Sequence, residues 1–197
     1  RSGSLMIARY IAARIGPVPC WSLEVILPER FAGKAWDHVT DAAGDGALAP
    51  CGTIARDILR LEHGLPRWGR ELNETVDPVT AGLAHLLRED GGYIGAAAIA
   101  AVGTSPPRRR VALGWTLPRD GDPAAVRLPP SGSPLTGDDG RELGTLTSAA
   151  TGPGGTGLVA QGYVSSDRAA PGTGVVLADL PGRPRGTITR VFGGRQE

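Results

Sequence analysis

Helical periodicity of the apolar residues ends for good at residues 104–107 of this chain, and that limits the fold to two dissimilar parts. Ahead of it, residues 5–14 and 21–27 read as strands. In the second, Trp21, Leu23, Val25 and Leu27 alternate with Ser22, Glu24 and Ile26, which puts Glu24 opposite the aromatic face. Phe31, Ala35, Trp36, Val39 and Ala43 then recur at helical spacing, and Gly44 is a natural stop. A second helix is expected over residues 54–63, with Thr53 as N-cap and Gly64 just past its end. Ile54, Ile58 and Leu61 share one stripe of it, while Arg56, Arg60 and His63 form a cationic face opposite. Residues 66–78 read as a long polar connection, and residues 96–102 as a short alanine-rich helix ending at Gly103.

Beyond the Pro/Ser linker the helical periods vanish. Short strands are expected at 110–117, 124–128, 142–149, 158–164, 174–180 and 186–192, separated by turn signals such as Asp138-Asp139-Gly140 and Pro171-Gly172. This spacing fits a small barrel or sandwich. The sequence therefore divides into an α/β part, 1–104, and an all-β part, 105–197.

Composition bounds the function. Glycine (30) and proline (17) are abundant, but 41% of the 197 residues are hydrophobic and patterned, so a folded chain is expected. Twenty-one basic against 20 acidic residues leave a net charge of +1, and neither half is a basic nucleic-acid surface. Cys20 and Cys51 show no CxxC spacing and no histidine pair, which argues against zinc or redox chemistry and fits a reducing cytoplasm. The longest apolar run, residues 93–102, falls well short of the about 20 residues of a membrane span. No basic-then-apolar signal opens the chain, and because the only methionine is Met6, the first four residues read as a scar or an internal cut in something longer.

Most candidate sites fail on context. Gly152-Pro-Gly-Gly-Thr-Gly157 matches G-x-G-x-x-G, but a dinucleotide loop needs a helix after it, and residues 158–164 alternate like a strand. His38, His63 and His85 are too scattered for a metal site, and no G-x-S-x-G places a nucleophile. Arg108-Arg109-Arg110 reads as a solvated strand edge. Glu24, on the inward face of its strand, and Arg56, in the first helical turn, remain: they either pair or face water as structural charges, or they hold a ligand.

A resemblance shifts that balance. The stretch Leu48-Ala-Pro-Cys-Gly-Thr-Ile-Ala-Arg-Asp-Ile-Leu-Arg-Leu-Glu-His-Gly-Leu-Pro-Arg-Trp-Gly-Arg-Glu-Leu72 and then Thr75-Val-Asp-Pro-Val-Thr-Ala-Gly-Leu83 closely resembles the aminomethyltransferase (T-protein) family of the glycine cleavage system. The family pattern there is G-x-x-A-R-D-x-L-R-L-E-x-G-L-P-x-x-G-x-E-L, followed by T-x-P-x-x-A-G-L. Tyr93-Ile-Gly95 is similar to the family's F-I-G, and Gly144-Thr-Leu-Thr-Ser148 with Ala160-Gln-Gly-Tyr-Val164 resembles strands of its C-terminal barrel.

The resemblance implies an α+β fold, with part of a ferredoxin-like folate-binding domain followed by a small antiparallel β-barrel. Family members run to about twice this length, so the chain resembles a C-terminal half. The family's catalytic aspartate then lies in the half that is absent, and no catalytic residue is assigned here. By the same resemblance, the glutamate of E-[IL]-x-V-P falls on Glu24 and the arginine of A-R-D on Arg56, as contacts for tetrahydrofolate. A glutamate suits a pterin because its two oxygens can accept from paired ring N–H groups, and an arginine complements carbonyl or carboxylate groups.

One segment departs from the pattern. Where the family has G-Y-T-G-E-x-G-Y-E, this chain has Gly16-Pro-Val-Pro-Cys-Trp-Ser-Leu-Glu24, with two prolines of fixed φ. The K-G-C-Y-x-G-Q-E motif of the iron–sulfur-assembly relatives is absent. The resemblance thus implies a folate-dependent one-carbon transferase, using a small amine or methyl donor and a second chain that supplies the N-terminal half. The alternative is a non-catalytic scaffolding subunit that keeps the fold without folate.

Overall fold

The computed structural model describes residues 2–5, 8–14, 22–116, 128–152 and 157–193. They fall into two compact units, Arg1–Arg56 and Asp57–Glu197.

In the first unit, β1 (Ser2–Leu5), β2 (Ala8–Arg14) and β3 (Leu23–Ile26) form an antiparallel sheet in the order β1-β2-β3. The single strand expected over residues 5–14 is instead parts of two, with Leu5 registered on Ala8, and Glu24 lies opposite Ala13. A 3-10 turn at Glu29–Phe31 leads into α1 (Ala32–Ala43), which Gly44 ends at φ 76°. Helix α2 (Thr53–Glu62) spans the division between the units. Its last turn closes on Gly64 at φ 72°, with Leu65 N–H donating to the Arg60 carbonyl and Gly64 N–H to that of Leu61. These two bonds satisfy carbonyls that the helix end would leave unpaired, and glycine takes the left-handed conformation at no steric cost.

The second unit is built on six strands: β4 (Arg108–Thr116), β5 (Pro134–Thr136), β6 (Glu142–Thr151), β7 (Gly157–Ser165), β8 (Gly174–Leu177) and β9 (Arg185–Val191). They close into an antiparallel barrel in the order β4-β7-β6-β5-β8-β9, so none of these strands is left as an open edge. Alternation fills the interior. Val111, Leu113 and Trp115 from β4 meet Leu158, Ala160 and Val164 from β7, with Leu135, Leu146, Val175, Leu177 and Ile188 completing the core. Strand β5 has three residues and opens on a proline, so sequence alternation did not reveal it. The strand expected over 124–128 lies almost wholly outside the described residues.

Gly152 and Gly157 join β6 to β7, and the Gly152 N–H donates to the Gly157 carbonyl at 2.7 Å. A strand follows the glycines, as the alternation indicated, so no helix N-terminus faces a dinucleotide phosphate here. Residues 153–156 of that match lie outside the described residues.

Segment 57–83 lies over the outward face of β4, β7 and β6. It turns what would be solvent-facing polar positions of the barrel, Arg110, Gln161 and Tyr163, into buried ones. The expected solvated edge at Arg108-Arg109-Arg110 is therefore corrected at Arg110, which is 2% exposed, while Arg108 is exposed and Arg109 half-buried where β4 pairs with β7 alone.

Candidate functional site

Glu24 and Arg56, the two positions singled out for folate, are both exposed. All four residues of β3 are exposed, so Glu24 has no inward face to point into. Arg56 stands in the first turn of α2, its N–H donating to the Gly52 carbonyl. Among the described residues, neither charge belongs to an ion pair, so the reading in which they neutralise each other is not what the chain does. Two open, oppositely charged groups are chemically suited to a ligand with both N–H donors and carboxylates.

The cationic face expected on α2 does not hold at Arg60. One turn beyond Arg56, Arg60 is buried, because four groups take up its guanidinium. Its Nε donates to Asp57 Oδ1 (2.8 Å), Nη1 to Glu71 Oε2 (2.6 Å) and to the Leu65 carbonyl (3.4 Å), and Nη2 to Ser148 Oγ (2.7 Å). The expected packing stripe holds along the second half of the helix: Leu61 is buried and Ile58 half-buried, whereas Ile54 is exposed.

Glu71, fully buried, is the other centre of this network. Besides Arg60, its Oε2 accepts the Arg67 backbone N–H (2.9 Å), and its Oε1 lies 2.7 Å from the Thr147 hydroxyl. Thr147 is the extra residue where the β6–β7 register shifts between Leu146 and Ser148. A bulge of this kind re-aims side chains, here turning Thr147 and Ser148 toward Glu71 and Arg60. The Tyr163 hydroxyl donates to the Glu71 carbonyl at 2.9 Å.

A second buried cation sits beside it. Arg110 donates to the carbonyls of Ala81 (2.7 Å) and Gly64 (2.8 Å) and to Gln161 Oε1 (2.6 Å), while Gln161 Nε2 donates to the Leu65 carbonyl (3.0 Å). Its guanidinium also lies 3.7 Å from the centre of the Phe192 ring, with Arg190 at 5.1 Å. Phe192 is seated against Gly64 and Gly82. A Cβ at either glycine would come within 2.5 Å of its atoms, and both have positive φ.

Burial governs the titration of these groups. It pulls Arg110 down to about 10, against the attraction of Tyr163 and Glu71, and pushes Tyr163 up to about 12. For Asp57 burial acts upward, but hydrogen bonding and charge from Arg60, then Arg67, outweigh it and hold the carboxyl below 3.8. Asp77 is likewise held low, its carboxylate accepting the Thr80 N–H and hydroxyl in spite of partial burial.

Sequence reasoning assigned no role to Arg60, Glu71, Arg110, Gln161 or Tyr163. Arg60 and Glu71 stand at fixed letters of the family pattern quoted above, the second R and last E of A-R-D-x-L-R-L-E-x-G-L-P-x-x-G-x-E-L, and Gln161 and Tyr163, with Thr147 and Ser148, lie in the two barrel segments that resemble the family. In this structure those letters are the network that fastens segment 57–83 to the barrel. Among the described residues, no group of three or more His, Cys, Asp or Glu could hold a metal ion, and no helix is long and apolar enough to cross a membrane.

Comparison with known proteins agrees with this architecture. Residues 1–90 match the family described as the GCVT N-terminal domain. The aminomethyltransferase of Streptomyces avermitilis is 33% identical over 181 residues, covering 87% of this chain and 45% of its own length. That of Halothermothrix orenii is 29% identical, covering 89% and 47% respectively. The crystal structure of the glycine cleavage system aminomethyltransferase T from Bartonella henselae superposes with a TM-score of 0.74 at 27% identity, over 92% of this chain and 48% of that one. The chain spans about half the length of the relatives it matches. It belongs to the aminomethyltransferase (glycine cleavage T-protein) family.

Proposed function

We propose that this chain is one half of a cytoplasmic folate-dependent one-carbon transferase, in which a second chain supplies the N-terminal half. In this reading residues 1–104 are the C-terminal part of the folate-binding domain, and residues 105–197 are the T-protein barrel. The observation that carries it is the pair of unengaged, exposed charges at Glu24 and Arg56 in a member of this family. Tetrahydrofolate, when bound, supplies the ring nitrogens that take up the one-carbon unit from a small amine or methyl donor. Glu24 would hold its pterin by accepting N–H groups, and Arg56 its carbonyl or carboxylate oxygens.

The groups of this chain orient and select; the catalytic aspartate of the family belongs to the other half. Catalysis here is therefore by positioning donor and acceptor, a contribution that needs a rigid platform. The buried Arg60–Glu71 and Arg60–Ser148 bonds hold the C-terminal end of α2 to the barrel unit. The test is an assay of the complete assembly with tetrahydrofolate and a panel of amine donors. One-carbon-substituted folate should accumulate with at least one donor. An assembly that binds folate but turns over none of the panel would contradict the transferase reading.

A further inference from the structure

The barrel closes without the segment that lies on it. Its six strands bond in a ring, and its core cluster is drawn from those strands, with no residue of 57–83 among its members. The segment instead covers the outward face, where Arg110, Thr147, Ser148, Gln161 and Tyr163 are residues of the kind an antiparallel sheet ordinarily turns to water.

What joins the two is largely hydrogen bonding. Arg60 Nη2 donates to Ser148 Oγ and the Thr147 hydroxyl to Glu71 Oε1, both at 2.7 Å, while the Tyr163 hydroxyl donates to the Glu71 carbonyl (2.9 Å) and Gln161 Nε2 to that of Leu65 (3.0 Å). Arg110 donates to the carbonyls of Gly64 and Ala81 through its side chain and to that of Thr80 through its backbone N–H (3.3 Å). Water can replace each of these partners, so each bond contributes little net when both of its ends are wetted together. The apolar share is limited. Leu61 and Ala81 are buried and Phe192 rests on Gly64 and Gly82, but Leu59 and Trp68 of the same segment are 42% and 67% exposed.

The segment also pairs its own charges. Asp57 and Glu71 both accept from Arg60, the Arg67 N–H donates to Glu71 and its guanidinium to Asp57, and Asp77 accepts from Thr80. Backbone bonds from Leu65 to Arg60, Gly69 to Leu72 and Leu83 to Pro78 lie within it as well. Lifting it off the barrel as one body leaves all of these intact, whereas taking it apart in place would strand buried charges.

We propose that residues 57–83 form a strap that detaches from β4, β7 and β6 and docks again as one cooperative unit while the barrel stays folded. The opened form bares a polar face and not the core, and it frees the last turn of α2 from Ser148. Sub-global openings are drawn from elements fastened in this way, and the population of the open form is set by the bonds that water replaces.

Hydrogen exchange of the protein in low urea, read by mass spectrometry on peptides covering 63–83, 108–116 and 157–165, tests this. The strap peptides should exchange through one shared opening, at least tenfold more populated than the opening of β4 and β7, with a urea dependence smaller than theirs but not zero. Ile188→Val, a mild change inside the barrel core, separates the two openings. It weakens the strap-closed and strap-open forms alike, so the barrel peptides should exchange about threefold to tenfold faster while the strap peptides stay within twofold of wild type. Strap peptides that open only together with β4 and β7, in wild type and variant alike, would show that strap and barrel are a single cooperative unit and would overturn the proposal. Strap exchange independent of urea would overturn it too, because the segment would then fray residue by residue and never leave as a body.

Discussion

Arg60 Nη1 lies 2.6 Å from Glu71 Oε2 with Glu71 fully buried, and this one ion pair ties α2 to the loop that follows it and, through Ser148 and Thr147, to the barrel. Its setting distinguishes it from the other ion pairs of this unit. The Asp139 pairs with Arg141 and Arg168 and the Arg88–Asp90 pair are exposed, where water and salt screen the attraction and little stability results. Breaking a buried pair strands a charge that water cannot reach, at a cost of about 3–5 kcal/mol.

Glu71→Gln keeps the shape of the side chain but removes its charge opposite Arg60. The variant should be destabilised by about 3 kcal/mol or more in urea unfolding, whereas the exposed Asp90→Asn should leave the unfolding midpoint almost unchanged. Similar losses for the two would mean that the Arg60 network does not fasten segment 57–83.

Phe192 plugs a space lined by two glycines and two guanidinium groups. Phe192→Ala empties it and should cost about 3–5 kcal/mol. Gly64→Ala should be harmful for the opposite reason, because its Cβ would lie 2.5 Å from the Phe192 ring and φ is 72°. Combining the two substitutions should cost less than the sum of the singles, since the cavity relieves the collision. Strict additivity in the double-mutant cycle would refute this packing.

Asp57 gives stability an acid limb. Its folded-state carboxyl is held below the ordinary 3.8, so its contribution is fully present above that value. It is lost as the pH falls through the lower folded value, because the unfolded chain takes up the proton first. Wild type and Asp57→Asn should therefore differ in melting temperature at pH 6 and converge toward pH 3. A constant difference across that range would show that the Arg60 and Arg67 contacts do not act on the charge.

The barrel was legible in the sequence because alternation and turn signals survive in β4, β6, β7, β8 and β9, where one face is always core. Its closing strand β5 was not, since three residues beginning with Pro134 carry no period. The break between β1 and β2 escaped notice because no glycine or proline stands between Leu5 and Ala8 in the sequence. Helix α3 (Ala96–Val102) matched its expected bounds, which a left-handed Gly95 and Gly103 punctuate.

At the site, the environment was not legible. Glu24 and Arg56 were left by elimination and then singled out by the resemblance, but the inward face expected for Glu24 is not there, since all four residues of β3 are exposed. Arg60 and Arg110 looked like solvated charges, because nothing in local spacing shows that a loop dozens of residues away in sequence will bury them. Their long-range partners, Ser148 for Arg60 and Gly64 for Arg110, exist only in three dimensions.

The central claim is that Glu24 holds a pterin, and calorimetric titration of a stable reduced folate into the complete assembly tests it most directly. Saturable binding is expected for the wild type, with at least a tenfold loss in Glu24→Gln, whose amide keeps the size of the carboxylate but not its double acceptor character. Absence of binding to a well-folded assembly, or equal affinity in the variant, would contradict the account and leave the chain a scaffold that has kept the fold without the ligand.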